Sequence, residues 1–329
     1  MRAFLRNFLV FIGILALMLV TLDFLLLEGQ KNYPALANIK LKKVIEEKSL
    51  NSEIVIFGSS VAEGGLNPAT LSAVTGMSCV NLALSGRRIQ DWQPLAYNYL
   101  EYADSTKIVI IDIFPNAFNF PHSIYHPHDY YPYLANRYVK KSLATINPEF
   151  TKMSQIPLYY LTQLNSTIVE NAIKYWRLKI HKNSISHHLP NNGFKKIEEA
   201  FTQDLSTPTP VELDKRSIKA FSNLISYCET KGTKVILLGM PVFKKGRSFY
   251  TNIDKVYEIA DELTKNHENS EYLDFYSTLS FNSNKYFFHN YTHLNYRGAK
   301  IISGKLAAYL NSRLRPVETG VMKSYEQHR

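Results

Sequence analysis

Cysteine is scarce in this chain, which has two, Cys79 and Cys228, in 329 residues. Two cysteines cannot build the disulfide framework of a small secreted domain, nor a cysteine-rich metal knuckle. Cys79 falls in a predicted strand and Cys228 in a predicted amphipathic helix. We therefore expect two buried free thiols in a chain long enough to form a sizeable hydrophobic core.

The chain also lacks a dense run of basic residues, although it is basic as a whole. Lys and Arg number 38 against 28 Asp and Glu, which gives a formal net charge of +10. A nucleic-acid groove requires clustered cations, so we expect no nucleic-acid partner. The scattered cations instead favour a surface that faces anionic polymers or lipid head groups.

Apolar runs long enough to cross a bilayer are absent after the first 28 residues, but those residues contain one. Arg2 and Arg6 precede the run LVFIGILALMLVTLDFLLL, whose length suffices for a transmembrane helix. The positive flank stays in the cytoplasm, so we predict a single-pass anchor in the cell membrane over residues 1–28, with the remainder outside the cytoplasm. The alternative is a cleaved signal peptide, but its apolar region would be shorter and closer to a small-residue cleavage triplet.

Predicted strands and helices alternate beyond a polar, Lys-rich stretch at 29–50 that resembles a stalk. Strands are predicted at 53–57, 78–84, 107–113, 233–239 and 271–275. Helices are predicted at 68–76, 91–103, 214–231, 252–267 and 296–313, with Asn67 as the cap and Gly76 as the stop of the first. This alternation predicts a three-layer α/β/α fold around a five-stranded parallel sheet.

The alternation also divides the chain into segments. Residues 51–116 and 213–314 form the α/β domain, and residues 117–212 interrupt it. That interruption is rich in Tyr, His and Asn, and we predict a mainly helical insertion packed over one end of the sheet. Residues 315–329 are expected to form a loose C-terminal tail.

The first predicted strand runs into two adjacent serines, in the sequence IVIFGSSVAEGG at residues 54–65. In an open parallel sheet, ligands bind at the carboxyl ends of the strands, so residues that follow different strands meet at one edge. A hydroxyl, a base and N–H donors brought together there could attack an ester. The candidates for these parts are Ser60, Gly86, Asn116 and His293.

In their order and spacing, these blocks resemble the SGNH hydrolase superfamily, also called GDSL-like. The resemblance is carried by GSS at 58–60, by NLALSG, by DIFPNAF, although the family's Gly-x-Asn-Asp pattern is absent there, and by NYTHLNYRGA. It covers residues 53–116 and 214–310. The resemblance implies a flavodoxin-like SGNH fold and a reaction that needs no cofactor and no metal.

The resemblance also implies a role for each candidate residue. Ser60 would be the nucleophile, with Ser59 at the position of the family's aspartate, and His293 would be the base. The backbone N–H groups of Ser60 and Gly86, together with the Asn116 amide, would form the oxyanion hole.

One position departs from the family pattern. The triad acid would fall at position 290, where this chain has Asn290. An amide can hold the histidine by a hydrogen bond, but it cannot stabilise the imidazolium and it can favour the wrong tautomer. Three interpretations stay open: a Ser-His dyad, a different carboxylate such as Asp112 or Asp274 that reaches the histidine, or a site that has lost catalysis.

Further polar residues near these blocks have functional and structural interpretations. Arg87 and Arg88 directly follow Gly86, where either would meet an anionic substrate, although such arginines are usually just solvated. His126 and His128, with the neighbouring Asp129, are candidate metal ligands. Their Pro-rich loop offers no helical register for ligands, so we expect no metal there.

The layout of one span followed by this domain resembles the D-alanyl transfer proteins of teichoic-acid modification and the acetyltransferase-like proteins of alginate export. Within the superfamily, the layout is similar to that of a membrane-anchored O-acyltransferase or esterase-like branch. It implies an extracytoplasmic hydrolase or transferase that uses an acylated glycan or acyl donor, beside a multi-span membrane O-acyltransferase. The alternative is a non-catalytic glycan-binding or assembly protein that keeps the fold without the triad acid.

Overall fold

The computed structural model describes residues 1–153, 156–181, 188–198, 201–202, 208, 210–277 and 280–314. The predicted tail at 315–329 lies outside the described residues, as does part of the insertion. The described residues form a parallel sheet with helices on both of its faces. The predicted α/β/α fold class is therefore confirmed.

The sheet has five parallel strands in the order β2-β1-β3-β4-β5. The strands are β1 (Ile54–Phe57), β2 (Cys79–Asn81), β3 (Ile108–Ile113), β4 (Lys234–Gly239) and β5 (Ser270–Asp274). Each of them was predicted from the sequence. β2 ends earlier than predicted, at Asn81, whose side chain accepts a hydrogen bond from the Ala83 N–H at 3.0 Å.

β1, β2 and β3 are buried along their whole length, and so is β4 after its first residue, whereas β5 at the edge of the sheet is half-buried. All four residues of β1 are buried, with Val55 and Phe57 in one core and Ile54 and Ile56 in the other, because successive side chains of a strand point to opposite faces. Burial on both sides explains why β1 reads as a continuous apolar run rather than an alternating one.

Helices cover both faces of this sheet and build the insertion. They are α1 (Arg2–Asn32), α2 (Leu36–Leu41), α3 (Ser60–Gly65), α4 (Pro68–Thr75), α5 (Ile89–Tyr102), α6 (Arg137–Ile146), α7 (Pro148–Met153), α8 (Tyr159–Thr162), α9 (Ser166–Ile180), α10 (Lys215–Thr230), α11 (Ile253–Lys265) and α12 (Tyr296–Leu314). α4 begins and ends as predicted: Asn67 accepts a hydrogen bond from the Ala69 N–H at 2.9 Å, and Gly76 ends the helix with a φ of +74°.

The N-terminal helix α1 contains the predicted anchor. It is long and apolar enough to cross a membrane, and its large hydrophobic side chains are exposed from Phe4 to Leu25. After Leu25 the helix is increasingly buried against the domain, with Leu26, Gly29 and Gln30 buried. The predicted single anchor is thus an exposed apolar helix whose last turns belong to the folded domain.

The segment predicted as a stalk, residues 29–50, is packed against the domain rather than free of it. α2 and a π-helical turn at Lys42–Glu46 bury Leu41 and Val44. Lys40 is fully buried, and its Nζ donates to Glu63 Oε1 at 2.9 Å and to the Ala83 carbonyl at 2.6 Å. The Lys-rich composition favoured a solvent-exposed segment, but Lys40 is buried because it pairs with the carboxylate of Glu63 on α3.

The insertion is mainly helical over its described residues, α6 to α9, and it lies largely beside the sheet helices and the anchor. α6 packs on α5, and α9 packs on α1. Aromatic side chains fill these contacts: for example, the Tyr97 ring on α5 stacks on Tyr138 of α6 with centroids 5.5 Å apart.

The buried Lys40–Glu63 pair predicts an unequal response to lysine substitutions in the 29–50 segment. Lys40→Met leaves an uncompensated buried carboxylate and should lower the free energy of unfolding by about 3–5 kcal/mol. Lys43→Met, which removes a more exposed pair with Glu47, should cost less than about 1 kcal/mol. Urea unfolding of the full chain in detergent micelles measures both, and equal costs would contradict the buried pair.

Candidate active site

The turn after β1 can be formed only with glycine at its first position. Gly58 has a φ of +141°, and a Cβ atom there would lie 1.7 Å from Asp112 Oδ1. A side chain would therefore both strain the backbone and overlap a buried carboxylate at the end of β3. The turn delivers Ser59 as the N-cap of α3 and Ser60 as its first residue.

The first serine has a structural role. Ser59 Oγ donates to Asp112 Oδ2 at 2.6 Å and accepts from the Val61 N–H at 3.1 Å. The N–H groups of Ser59 and Ala62 also donate to Asp112. Burial raises the pKa of Asp112 to about 6, so above that pH an ionised carboxylate accepts all three hydrogen bonds. Asp112 thus fixes the start of α3.

The second serine faces the predicted base. Ser60 Oγ lies 2.8 Å from His293 Nε2, although the two residues are 233 positions apart. Both side chains are half-buried, so the pair is open to a substrate. The histidine is held in a short loop before α12, where the His289 N–H donates to its carbonyl at 2.8 Å. The edge of the sheet therefore brings together the two residues that the sequence analysis paired.

Asn290 holds the other side of the imidazole. Its Oδ1 accepts from the backbone N–H groups of Thr292 at 3.0 Å and His293 at 2.8 Å, which identifies this atom as the oxygen. The same oxygen lies 3.0 Å from His293 Nδ1. The Thr292 hydroxyl also lies 3.1 Å from Nδ1 and can either donate or accept, whereas the carbonyl oxygen of Asn290 only accepts. A proton on Nδ1 satisfies both neighbours and leaves Nε2 free to accept from Ser60. The geometry favours the productive tautomer rather than the wrong one.

The two carboxylates considered as substitutes for the triad acid are engaged elsewhere. Asp112 accepts from the turn after β1, as described above. Asp274 Oδ1 accepts from the Ser277 N–H at 2.9 Å, and its other oxygen accepts from the Ser277 hydroxyl. Asn290 and the Thr292 hydroxyl occupy the place that faces Nδ1, so the geometry is that of a Ser-His pair supported by an amide, and its catalytic role stays a prediction.

The predicted oxyanion donors lie on either side of β1. Gly86 follows β2 with a φ of +77°, and Asn116 lies in the turn that follows β3. Because β1 is the neighbour of both strands, the two residues flank the turn that carries Ser60. The Ser60 N–H is at the start of α3, where backbone donors lack partners within the helix. Their role as oxyanion donors stays a prediction.

Of the two arginines after Gly86, only Arg88 faces a pocket. Arg87 is 2% exposed, and its guanidinium forms an ion pair with Asp129 and lies over the Tyr130 ring. Its predicted role in substrate binding is therefore replaced by a structural one, because its charge is already neutralised in the core. Arg88 lines a pocket of about 360 Å³ together with Gly86.

The structure brings His126, His128 and Asp129 together, with one potential ligand atom from each within 4.8 Å of the others. Asp129 also accepts a hydrogen bond from Gln30 at 3.2 Å and pairs with Arg87. A cation at this cluster would therefore lie close to a buried guanidinium charge, which disfavours binding.

A second, larger pocket of about 690 Å³ adjoins the first, and Phe120 lines both. The sequence analysis missed it, because its residues come from three separate helices. Rings and cations line it: Tyr97, Tyr138, Tyr227, Lys141, Arg216 and Lys219. Among the described residues, three buried side-chain amide oxygens have no hydrogen-bond partner, and two of them belong to residues that line these pockets: Gln90 Oε1 in the larger and Asn119 Oδ1 in the smaller.

The orientation of the Gln90 amide follows from its neighbour. The Ser217 hydroxyl donates to the Asn119 carbonyl at 3.2 Å, so it must accept from the Gln90 amide nitrogen, 3.0 Å away. The Gln90 oxygen is thereby left as an acceptor.

Comparisons with known proteins find similarity only among solved structures. No family model matches the chain, and no curated protein matches it. A Streptococcus pneumoniae protein described as a platelet activating factor is 13% identical with a TM-score of 0.45, covering 90% of this chain and 99% of its own. An Enterococcus faecalis lipase/acylhydrolase is 14% identical with a TM-score of 0.41, covering 80% and 97%. Similarity this low leaves the activity to be argued from the site's geometry.

The position of Asn290 predicts how an aspartate would act there. Asn290→Asp should raise kcat for p-nitrophenyl acetate by about 10- to 100-fold, because a carboxylate stabilises the imidazolium. The gain stays below the about 10⁴-fold effect seen in serine proteases, where the amide also selects the wrong tautomer. Asn290→Ala should lower kcat, since it removes the group that orients the ring. An unchanged rate in both variants would show that another group orients His293.

Proposed function

We propose that this protein is a serine-dependent acyl ester hydrolase or O-acyltransferase that acts on a glycan outside the cytoplasm. The observation that carries the proposal is the 2.8 Å contact between Ser60 Oγ and His293 Nε2, with the opposite ring nitrogen held by Asn290. A hydroxyl next to an oriented neutral imidazole is the arrangement that nucleophilic acyl transfer requires.

The reaction proceeds through an acyl-enzyme. Ser60 Oγ attacks the acyl carbonyl while His293 Nε2 takes the hydroxyl proton, and the N–H groups of Ser60 and Gly86, with the Asn116 amide, hold the oxyanion. His293 then returns the proton to the departing alcohol, and the acyl group stays on Ser60. In the second half, water or a sugar hydroxyl gives its proton to His293 Nε2 and attacks the acyl carbonyl, the bond from that carbon to Ser60 Oγ breaks, and His293 returns the proton to Ser60. Water gives hydrolysis, and a sugar hydroxyl gives transfer.

The adjoining pockets support a glycan as substrate. Unpaired buried acceptors such as Gln90 Oε1 and Asn119 Oδ1 favour a ligand rich in hydroxyl donors. Along the larger pocket the Tyr97 ring stacks on Tyr138 and meets Tyr227 edge to face, so the three rings form an aromatic wall against which a sugar can pack. The cations Lys141 and Lys219 add an electrostatic preference for a glycan with anionic groups, whereas Arg216 is already paired with Asp214 at 2.7 Å.

The setting of the enzyme is also part of the proposal. α1 would anchor the chain in the cell membrane, with Arg2 and Arg6 on the cytoplasmic side and the domain outside. The resemblance noted in the sequence adds an acyl donor and a multi-span membrane O-acyltransferase as partner. Because Asn290 replaces the triad acid, the alternative function is a non-catalytic glycan-binding or assembly protein.

The two adjacent serines provide a matched test of catalysis. Ser60→Ala should lower hydrolysis of p-nitrophenyl acetate by at least about 100-fold, because the nucleophile is lost. Ser59→Ala keeps the nucleophile and should retain activity within about tenfold, while the loss of the cap and of a bond to Asp112 costs about 1–3 kcal/mol of stability. Equal rates for wild type and Ser60→Ala would favour the non-catalytic rival.

The larger pocket predicts which lysine of α6 contributes to glycan binding. In a Ser60→Ala background, Lys141→Gln should weaken binding of polygalacturonate by about two- to fivefold, as expected for one exposed charge. Lys140→Gln changes the neighbouring lysine, which does not line the pocket, and should leave binding unchanged. Calorimetry measures both, with neutral dextran as the control polymer. Identical losses from the two variants would place the glycan elsewhere.

A further inference from the structure

The insertion helix α9 lies directly against the outer end of the anchor helix. The indole N–H of Trp176 donates to the Leu25 carbonyl of α1 at 2.8 Å. Ala172 faces Gly29 so closely that a Cβ atom at position 29 would lie 2.6 Å from the Ala172 Cα. This close packing of small residues fixes α9 on α1 at the level where the apolar run of the anchor ends.

Between the two helices runs an apolar groove of about 590 Å³. Leu22, Leu25 and Leu26 of α1 form one wall, and Ile173, Trp176 and Ile180 of α9 line the other. Ile173 is 60% exposed and Ile180 is 74% exposed. Exposed isoleucines on a helix that already buries another face are costly in water, at about 25 cal/mol for each Å² of apolar surface.

The position of the groove along α1 indicates what covers it. The hydrocarbon core of a bilayer accommodates about 20 helical residues, so the anchor's apolar run, residues 9–27, would place Leu22 and Leu25 in its outer part. α9 runs antiparallel to α1, because Asn171 binds Gln30 while Trp176 binds Leu25, so Arg177 and His181 line the deeper part of the groove. Lys179 extends back towards the shallower Trp176, with its Nζ 4.7 Å from the centre of the Trp176 ring. Tryptophan and long cationic side chains are typical of the membrane–water interface.

We propose that α9 lies in the outer leaflet of the membrane and that phospholipid fills the groove. Acyl chains pack between Leu22, Leu25 and the two exposed isoleucines, while the long side chains of Arg177 and Lys179 extend back along α9, towards its N-terminus, to the phosphate of the head group. The helix that holds the insertion to the anchor is thereby also a membrane-contact surface. This inference rests on the proposed anchor and is independent of the proposed catalysis.

The tryptophan content makes the proposal directly measurable. The chain has two tryptophans: Trp176 at the groove and Trp92, which is 3% exposed in the core. The full-length chain is reconstituted into phosphatidylcholine–phosphatidylglycerol vesicles whose acyl chains carry bromine near the head group or near the bilayer centre. The difference between wild-type and Trp176→Phe spectra isolates the Trp176 emission.

The shallow bromines should quench at least half of the Trp176 emission, and the deep bromines less. Trp92 emission, measured in Trp176→Phe, should change little. Asp substitutions at Ile173 and Ile180 should reduce the quenching by half or more, whereas Val74→Asp, at an exposed apolar residue of α4, should leave it unchanged.

Trp176 emission that is identical in brominated and ordinary vesicles would overturn the proposal. Extraction of the same vesicles with alkaline carbonate distinguishes failure of this proposal from failure of the anchor. If the chain is retained but Trp176 is not quenched, α1 spans the membrane and α9 lies outside it. A chain released by carbonate would overturn both. Turnover of p-nitrophenyl acetate by the reconstituted protein reports separately on Ser60.

Discussion

The hydrogen bonds between the buried Asp112 carboxylate and the turn after β1 are the interaction on which the site depends. β1 and β3 are neighbours, so an acid at the end of β3 lies beside the first turn. The carboxylate binds Ser59 and Ala62, and its bulk excludes any side chain at Gly58. Ser59 is thereby used to hold the turn, and Ser60 is left to face the histidine. Two serines stand side by side because the two tasks need separate hydroxyls.

The loop of His293 shows that the two tasks of a triad acid are separable. In a serine protease, one aspartate both orients the imidazole and stabilises its charged form. Here the Asn290 oxygen accepts from two backbone N–H groups and from the ring, so orientation and tautomer are retained. Stabilisation of the imidazolium is not, because the amide carries no charge. In the proposed reaction, such a site would keep the geometry of a triad and lose part of its electrostatic stabilisation of the transition state.

Features governed by local signals or by sheet topology were predictable from the sequence. The strands, the caps of α4 and the meeting of serine and histidine at one edge of the sheet are examples. Buried charges were not, because each depends on a partner from a distant segment. Arg87 resembled a substrate cation until Asp129 of the insertion was seen beside it, and Lys40 resembled a solvated stalk residue until Glu63 was seen on α3. A charged residue is predicted to be exposed when the sequence does not show which distant residue pairs with it.

Those buried pairs also connect the anchor end of the chain to the predicted oxyanion donor. Gly86 lies between two residues that are tied to the N-terminal segment. On one side, Ser85 donates to Glu63, which binds Lys40 of α2. On the other, Arg87 pairs with Asp129, which accepts from Gln30 near the end of α1. Removing one member of a buried pair is expensive, so both connections resist opening. The backbone at Gly86 is thus held from both sides by the segment that follows the apolar helix, and a rigid body rather than a flexible tether joins the site to the anchor.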